Sequence, residues 1–270
     1  MSGDSRPTQP SRAQLKTLRS LKRRQQRLET GLFLVEGVKN VRELLQSRFQ
    51  VELLLHLPTF DLTSQLPRLP ACPCHPLPAS QFEPLCDTVT PEGILAVVRL
   101  PRENPAYSSD TPAVYLDGIS DPGNLGTIIR TADWFGLQPV VLSHDTVDPF
   151  SSKVIRASMG SLFHLPLLQD TADQSLLLQL QREGRQLVGL SQDATAELDR
   201  APLPAAPLLV FGSESHGIRP ETAARLDLVL RIQGQGLAES LNVAQAFTIA
   251  AYQWQIINKS RDREQHDQGL

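Results

Sequence analysis

The sequence predicts an α/β protein of two domains, the second of them built on a parallel β-sheet. Its 270 residues are 40% hydrophobic and 20% charged, which is typical of globular chains that can bury sizeable cores. From residue 113 onward, apolar stretches of strand length alternate with helical stretches, and this alternation favours a parallel sheet covered by helices. Residues 101–112 are rich in proline, serine and asparagine and are predicted to be a linker.

The region before the linker, residues 11–100, is predicted to form a smaller αβ domain that follows a disordered tail at residues 1–10. Residues 58–91 are rich in proline, so only short helices are expected there. The regular elements are predicted to be strands at 32–35, 51–57 and 94–98 and a helix at 38–46.

The region after the linker, residues 113–258, is predicted to form the parallel-sheet domain, and the polar residues 259–270 are predicted to be a disordered tail. The predicted strands are 113–117, 138–142, 162–165, 186–190, 207–211 and 227–232. The predicted helices are 124–135, 151–158, 172–183, 220–225 and 240–257.

A basic amphipathic helix is predicted at residues 11–29. Leucines recur there at helical spacing, and seven lysines and arginines precede the first acidic residue, Glu29. Three interpretations stay open: a solvated helix face, an arm that contacts a phosphate backbone, or a leader of the transit-peptide kind. The first 50 residues hold 11 Lys and Arg against 4 Asp and Glu, whereas the remaining residues hold 15 against 25. The positive charge is therefore concentrated at one end.

Cysteine usage bears on compartment and metal binding. Cys72, Cys74 and Cys86 leave an odd thiol, which favours a reducing compartment, so a cytoplasmic location is expected. The run Cys72-Pro73-Cys74-His75 lacks the usual spacing of a structural zinc site, and no metal is expected. No apolar run approaches the length of a membrane span, so no membrane association is expected either.

Three segments each combine a predicted strand with a following polar or glycine-bearing turn. They are VYLDGISDPGNLGTIIRTADWFG at 114–136, LVFGSESHGIRPE at 209–221 and LRIQGQGLAESLNVAQAFTIAAYQW at 230–254. Glycines let a backbone approach a ligand closely, and loops at the carboxyl ends of parallel strands are where ligands bind. The sequence contains neither the GxxxxGK[ST] phosphate loop nor a GxGxxG turn after a strand, which argues against kinase and dinucleotide chemistry.

The three segments resemble the SpoU/TrmH branch of the SPOUT RNA methyltransferases. The pieces DPGNLGTIIRTADWFG, FGSESHGI and IQGQGLAESLNVAQA occur in the family's order and spacing, and the resemblance covers roughly residues 112–257. It extends to residues 11–100, where GLFLVEGVKNVRELL is similar to the start of a fused substrate-binding domain. One difference is Gln233-Gly234, where the family usually has Pro-Met.

The resemblance implies a fold and a reaction. The fold is a carboxyl-terminal parallel-sheet domain with a trefoil knot, preceded by the smaller αβ substrate-binding domain. The reaction is transfer of a methyl group from S-adenosylmethionine to a ribose 2′-hydroxyl of a structured RNA, ribosomal RNA in preference to transfer RNA. A homodimer is implied as well. Two rivals stay open: methylation of a base atom on the same fold, and a non-catalytic RNA-binding assembly factor.

The resemblance also implies the site residues. The backbone contacts to the cofactor are Gly212, Gly217, Ile232, Gly236 and Leu241. The catalytic residues around the acceptor ribose are Asn124, Arg130, Glu214, Ser240 and Asn242. Because a guanidinium has a pKa above about 12, Arg130 is expected to stabilise the developing alkoxide rather than to act as a base, and the base stays open. The alternatives are a surface ion pair of Arg130 with Asp133, a helix N-terminal charge for Glu214, and core packing for Ile232 and Leu241.

Overall fold

The structure, a computed structural model, describes residues 9–66 and 71–268. The predicted tail residues 1–8 and 269–270 lie outside this range. The chain forms two compact units, Met1–Glu103 with Asp148–His164 and Asn104–Val147 with Leu165–Leu270.

The first unit contains a four-stranded sheet in the order β1-β4-β2-β3. The elements up to its last strand are α1 (Arg12–Ser20), α2 (Arg24–Thr30), β1 (Leu32–Glu36), α3 (Val38–Leu45), β2 (Val51–His56), α4 (Leu62–Gln65), β3 (Cys74–Pro76), α5 (Ala79–Phe82) and β4 (Ile94–Arg99). Strand β4 pairs antiparallel with both β1 and β2, and β3 pairs parallel with β2. The three predicted strands and the predicted helix at 38–46 are therefore confirmed as elements.

The prediction of one continuous helix over residues 11–29 is wrong, because the chain breaks after Ser20 and a second helix begins at Arg24. The carbonyls of Leu21 and Lys22, which the break frees from the helical ladder, accept hydrogen bonds from Nη1 of Arg27 at 2.7 and 3.1 Å. The guanidinium of Arg27 thus supplies the hydrogen-bond donors that these two carbonyls lose where the helix breaks.

The segment Asp148–His164 belongs to the first unit, although its sequence pattern placed it inside the carboxyl-terminal domain. Nε of Arg27 donates to Oδ2 of Asp148 at 2.9 Å, and both side chains are largely buried. Phe150 packs on Phe33 with ring centroids 4.8 Å apart. Removing either partner of this ion pair would leave the other charge buried and unpaired, which typically costs about 3–5 kcal/mol.

The elements from residue 113 onward alternate between strand and helix. They are β5 (Ala113–Asp117), α6 (Pro122–Phe135), β6 (Val140–Leu142), α7 (Ser152–Ser158), β7 (Leu167–Gln169), α8 (Ser175–Arg182), β8 (Leu187–Leu190), β9 (Ala196–Glu197), β10 (Leu208–Gly212), α9 (Pro220–Ala223), β11 (Leu228–Arg231) and α10 (Val243–Gln268). All except α7 lie in the second unit.

The second unit is built on a seven-stranded sheet in the order β7-β6-β5-β10-β8-β11-β9. Every neighbouring pair in it is parallel, which confirms the predicted fold class. Strand β5 lies beside β10, with Asp117 paired in register to Gly212. The first two motif loops therefore leave the sheet side by side. The trefoil knot stays a prediction of the family resemblance.

Two predictions for the chain after residue 113 are wrong. Residues 161–163 form a 3-10 turn rather than a strand, and the strand lies further along the chain at β7. The residues after Asn258 were predicted to be a disordered tail, but α10 continues through them to Gln268. In both places the local pattern is short or polar, and it does not fix the boundary of an element.

Helix α10 begins within the third segment, directly after Asn242, and packs on α6 and β10. One face is buried and includes Phe247, whose ring meets that of Phe211 edge to face at 5.2 Å. Within the part of the chain that the structure describes, no helix has the length and apolar character needed to cross a membrane.

Candidate active site

Asn124 connects the three motif segments. Its Nδ2 donates to Oε1 of Glu214, which belongs to the second segment. Its Oδ1 accepts a hydrogen bond from Nδ2 of Asn242, in the third segment, at 3.0 Å. Residues that are 90 and 118 positions away from Asn124 along the chain therefore meet at a single amide side chain.

The directions of these bonds are fixed by the rest of the network. Oδ1 of Asn242 accepts from the backbone N–H groups of Ala244 and Gln245 at 2.9 and 3.4 Å, so it caps the start of α10. Its Nδ2 must then face Asn124. Since Nδ2 of Asn124 is the group that can bond a carboxylate, both amides have one consistent orientation.

Helix α6 holds Asn124 at its first turn. Pro122 occupies the start of the helix, and the N-cap residue Asp121 accepts a hydrogen bond from the backbone N–H of Asn124 at 2.9 Å. The first turn of a helix following a parallel strand points toward the carboxyl edge of the sheet, where ligands bind in such folds. The site residue is therefore positioned by regular structure.

The second motif forms a closed turn between Ser213 and Gly217. Each backbone N–H of this pair donates to the other residue's carbonyl, at 3.0 and 2.9 Å, and Gly217 has a left-handed φ of 66°. A Cβ placed on Gly212 would lie 1.9 Å from the carbonyl carbon of Gly217. Both glycines are thus required by the turn itself.

The third motif loop is exposed from Gln233 to Asn242. A Cβ added at Gly236 meets no atom within 4 Å, and this glycine does not adopt a positive φ. The exposed loop also presents the side chain of Leu241, which is 48% accessible, whereas Ile232 before it is half-buried. Packing of the chain on itself does not account for Gly236.

Comparison with known proteins identifies this arrangement. Residues 112–252 match the SpoU rRNA Methylase family, and residues 12–96 match an MRM3-like substrate binding domain. This chain belongs to the SpoU rRNA Methylase family.

Individual relatives agree with that assignment. The 23S rRNA (guanosine(2553)-2′-O)-methyltransferase RlmP of Bacillus subtilis is 34% identical over 238 residues, which cover 88% of this chain and 94% of RlmP. The 23S rRNA (guanosine-2′-O-)-methyltransferase RlmB of Vibrio vulnificus is 32% identical over 51% of this chain and 56% of its own length.

Solved structures agree over nearly the whole chain. An RNA methyltransferase structure of the TrmH family from Porphyromonas gingivalis is 37% identical, with a TM-score of 0.82 over 92% of this chain and 98% of the other. The SpoU methyltransferase AviRb from Streptomyces viridochromogenes, in complex with AdoMet, is 25% identical, with a TM-score of 0.82 over 91% and 97%.

Two of the residues that the SpoU resemblance assigned to catalysis stand apart from the Asn124 network. Arg130 is exposed on α6 and makes no hydrogen bond or ion pair within the described residues, so the alternative of an ion pair with Asp133 is not realised. Ser240 is exposed in the third loop and is likewise without a hydrogen bond in that range. The structure therefore brings together Asn124, Glu214 and Asn242.

The sequence reasoning missed an ionic cluster that joins the first and second SpoU segments. Asp117, whose side chain is fully buried at the end of β5, bonds both the backbone and the guanidinium of Arg219. Nη1 of Arg219 also lies 3.6 Å from Oδ2 of Asp145. The available signal was an aspartate at the end of an apolar strand, because a buried carboxylate requires a charged or hydrogen-bonding partner.

The cysteine run lies in the first unit. Burial raises the pKa of Cys72 to about 11, with the charge of Cys74 adding to the effect. Protonated thiols are poor metal ligands. In residues 9–66 and 71–268, no group of three or more histidine, cysteine or acidic side chains is arranged to hold a metal ion.

Proposed function

We propose that this protein transfers a methyl group from S-adenosylmethionine to a ribose 2′-hydroxyl of ribosomal RNA. The observation that carries the proposal is the meeting of the three SpoU motifs at Asn124. The relatives RlmP and RlmB are both 2′-O-methyltransferases of 23S rRNA by name, and AviRb is described with AdoMet bound. The fused substrate binding domain at residues 12–96 supports a large RNA substrate.

The third motif loop has the properties that a backbone-held cofactor needs. From Gln233 to Leu241, no backbone N–H or C=O makes a hydrogen bond to another described residue. These groups are available to an adenine ring or to the amino acid end of the cofactor, which both offer donors and acceptors. The residues present therefore fit S-adenosylmethionine, with Gly212, Gly217, Ile232, Gly236 and Leu241 as the proposed contacts.

The cofactor supplies a methyl group already activated on a sulfonium, so the protein has mainly to align donor and acceptor. In this proposal Asn124 and Asn242 orient the acceptor ribose, and Glu214 fixes the amide of Asn124. As the oxygen–methyl bond forms and the sulfur–methyl bond breaks, the hydroxyl proton passes to a base that is not assigned, and Arg130 stabilises the negative charge that develops on the oxygen. Ser240, which is exposed in the third motif loop, is proposed to contact the ribose.

Isothermal titration calorimetry with S-adenosylmethionine should show one binding site per chain. The demethylated product should compete for the same site, because both molecules share the adenosine part. An intact, folded protein that gives no heat of binding at millimolar ligand would contradict the methyltransferase proposal.

A homodimer is part of the proposal, since α10 and α6 expose an apolar surface. Ile249, Tyr252 and Ile256 recur along one face of α10 and are 41%, 55% and 42% exposed. On α6, Trp134 is 83% exposed, and its neighbour Phe135 contacts Tyr252 with ring centroids 6.3 Å apart. The two exposed sets therefore adjoin, and a second copy of this chain is the proposed occupant.

The double variant Trp134→Asp/Tyr252→Asp should be monomeric by light scattering at micromolar concentration, whereas the wild type should be a dimer. Placing two carboxylates in an apolar interface costs more than removing the two aromatic rings alone. Val89→Asp is the control, because Val89 is fully exposed in the first unit. A wild-type monomer, or a dimer that survives both substitutions, would count against this surface.

The basic helix α1 is proposed to contact RNA. Arg12, Lys16 and Arg19 follow one another at four- and three-residue spacing on one exposed face, while Leu15 and Leu18 are buried on another. Arg27 is buried in its pair with Asp148 and is unavailable. This face therefore offers phosphate contacts on a helix that is itself part of the first unit's core.

The triple variant Arg12→Gln/Lys16→Gln/Arg19→Gln should bind ribosomal RNA with a shallower salt dependence. Every phosphate that is no longer neutralised reduces the slope of log K against log salt by about 0.7 to 0.9. We expect a change of roughly 2 to 3 with cofactor affinity unaltered. The control replaces the exposed Arg102, Arg182 and Arg225 in the same way, and equal slopes for the two triple variants would assign α1 to folding alone.

A cytoplasmic location is proposed as well. The three cysteines Cys72, Cys74 and Cys86 are all free thiols in the structure. Thiols persist in a reducing compartment such as the cytoplasm, where the proposed substrate, ribosomal RNA, is also present.

A further inference from the structure

Arg219, at the end of the second segment, forms an ionic contact with Asp117, at the end of β5. The carboxylate of Asp117 is fully buried at the end of β5, in register with Gly212 of β10. It accepts from the backbone N–H of Arg219 at 2.9 Å and from Nε at 2.7 Å, and Nη2 forms an ion pair with the same carboxylate. A buried carboxylate without such partners would be costly, so the position of Arg219 is strongly specified.

Two further carboxylates lie near the guanidinium, and Oε1 of Glu221 is 3.7 Å from Nε. Oδ2 of Asp145 lies 3.6 Å from Nη1 of Arg219, and its Oδ1 accepts from Ser143 at 2.6 Å. Ser143 in turn accepts from the backbone N–H of Gly118, the residue after Asp117, at 2.8 Å. The cluster therefore connects the loops that follow β5, β6 and β10.

Arg219 fixes one end of the turn that carries Glu214. The turn begins at Ser213, which continues β10, and it closes at Gly217 through two mutual hydrogen bonds. The backbone of Gly217 and Ile218 passes so close over Gly212 that a Cβ there would lie 2.1 Å from the Ile218 nitrogen. Arg219 follows at once and is anchored to Asp117. The turn is therefore anchored at both ends, by β10 and by the contact of Arg219 with Asp117. This anchoring restricts the position in which Glu214 accepts the hydrogen bond from Asn124.

We infer that Arg219 is a positioning residue for methyl transfer, which holds the Ser213–Gly217 turn. It thereby keeps Glu214 on Asn124 and keeps Gly212 and Gly217 in place for the cofactor. The inference rests on the proposed function for its catalytic consequence, whereas the anchoring of the turn stands on the contacts alone. Burial opposes the charged form of Arg219, but the hydrogen bonds and the charge of Asp117 outweigh it and raise the pKa of the guanidinium.

The chemistry of the contact calls for arginine. One guanidinium edge lies against Asp117 while Nη1 points toward Asp145, and a planar, forked group can serve both carboxylates at once. A lysine ammonium keeps the charge but is a single point and cannot reproduce this geometry. Arg219→Lys should therefore retain only part of the rate of methyl transfer. If only a positive charge were required, Arg219→Lys would react at the wild-type rate.

The test compares Arg219→Ala, Arg219→Lys and the control Arg225→Ala, which removes an exposed arginine from the same stretch. Hydrogen exchange should accelerate in Arg219→Ala at the amides of Ser213, His216 and Gly217, which are all bonded within the turn. Strands of the first unit should exchange as in the wild type. The single-turnover rate of methyl transfer at saturating cofactor and RNA should fall roughly 10- to 100-fold, as expected for a misplaced catalytic group.

Added guanidinium at low, non-denaturing concentration should restore part of the rate to Arg219→Ala, and an alkylammonium of equal concentration should not. Arg219→Lys should lie between the alanine variant and the wild type. Unchanged exchange in the turn, or a wild-type rate at saturation despite faster exchange, would overturn the inference. A wild-type protein that transfers no methyl group would instead remove the proposed function, and the exchange data would still decide whether Arg219 anchors the turn.

Discussion

Replacing Arg130 by alanine should lower the rate of methyl transfer by about 100-fold or more, as for loss of one oxyanion donor, with little change in cofactor affinity. The reason is that an alkoxide exists only as the transition state forms, so the contact is weak in the ground state and strong during reaction. Affinity for RNA should fall only modestly, because Arg130 would supply one of many contacts to the RNA.

The structure indicates that this substitution should change the rate without changing the stability of the fold. Arg130 is exposed and forms no hydrogen bond or ion pair among the residues described, so its removal should not destabilise the fold. Arg130→Lys should restore little activity, because an ammonium lacks the planar, two-pronged geometry. Arg182→Ala, which removes another exposed arginine of the second unit, is the control and should react at the wild-type rate.

Single-turnover methyl transfer at saturating RNA and cofactor is the measurement that isolates this effect. A near wild-type rate for Arg130→Ala under those conditions would make Arg130 a binding or structural residue. The catalytic assignment would then move to Glu214, Ser240 or Asn242. Arg130 lies one helical turn before Trp134 on the same face of α6, so a monomeric variant should be assayed in parallel.

Gly212→Ala should abolish cofactor binding and lower the melting temperature. The added Cβ would lie 1.9 Å from the carbonyl carbon of Gly217 and 2.1 Å from the backbone nitrogen of Ile218, so the closed turn cannot form unchanged. Overpacking against flexible side chains typically costs about 1–3 kcal/mol, and a backbone neighbour yields less readily than a side chain. The turn should open, and Glu214 should separate from Asn124.

Gly234→Ala is the matched control for this substitution. A Cβ at Gly234 meets no atom within 4 Å, and its φ is not positive, so the fold tolerates alanine there. Thermal unfolding of both variants checks the effect on stability, for which Gly234→Ala is the control, and calorimetry with S-adenosylmethionine checks cofactor binding by Gly212→Ala. Cofactor binding by Gly212→Ala at wild-type affinity would show that the turn is not part of the cofactor site.

The alternation of strands and helices was sufficient to predict the parallel sheet. The grouping of Asn124 with Glu214 and Asn242 came from the resemblance to the SpoU/TrmH family, and strands that end at one edge of a parallel sheet are compatible with it. The cluster of Asp117 with Arg219 could not be paired from sequence, since its partners are 102 positions apart and no local period connects them. A buried acid signals that a partner exists but does not identify it.

Two of the errors, the continuous helix at 11–29 and the placement of Asp148–His164, originate in tertiary contacts. The break at Leu21 depends on Arg27, which is itself held by Asp148 at a separation of 121 residues. The placement of residues Asp148–His164 in the first unit depends on aromatic contacts such as Phe150 with Phe33. Periodicity describes what a segment buries, and it does not say which of two cores receives it.

The most direct test of the proposed function is to locate the transferred methyl group. Unmodified ribosomal RNA is incubated with the protein and S-adenosylmethionine labelled in its methyl group, digested to nucleosides and analysed by mass spectrometry. The proposed function predicts label in a 2′-O-methyl nucleoside, which forms far more slowly with Arg130→Ala and at the wild-type rate with Arg182→Ala. Label in a base-methylated nucleoside, or no transfer by a protein that binds both cofactor and RNA, would contradict it.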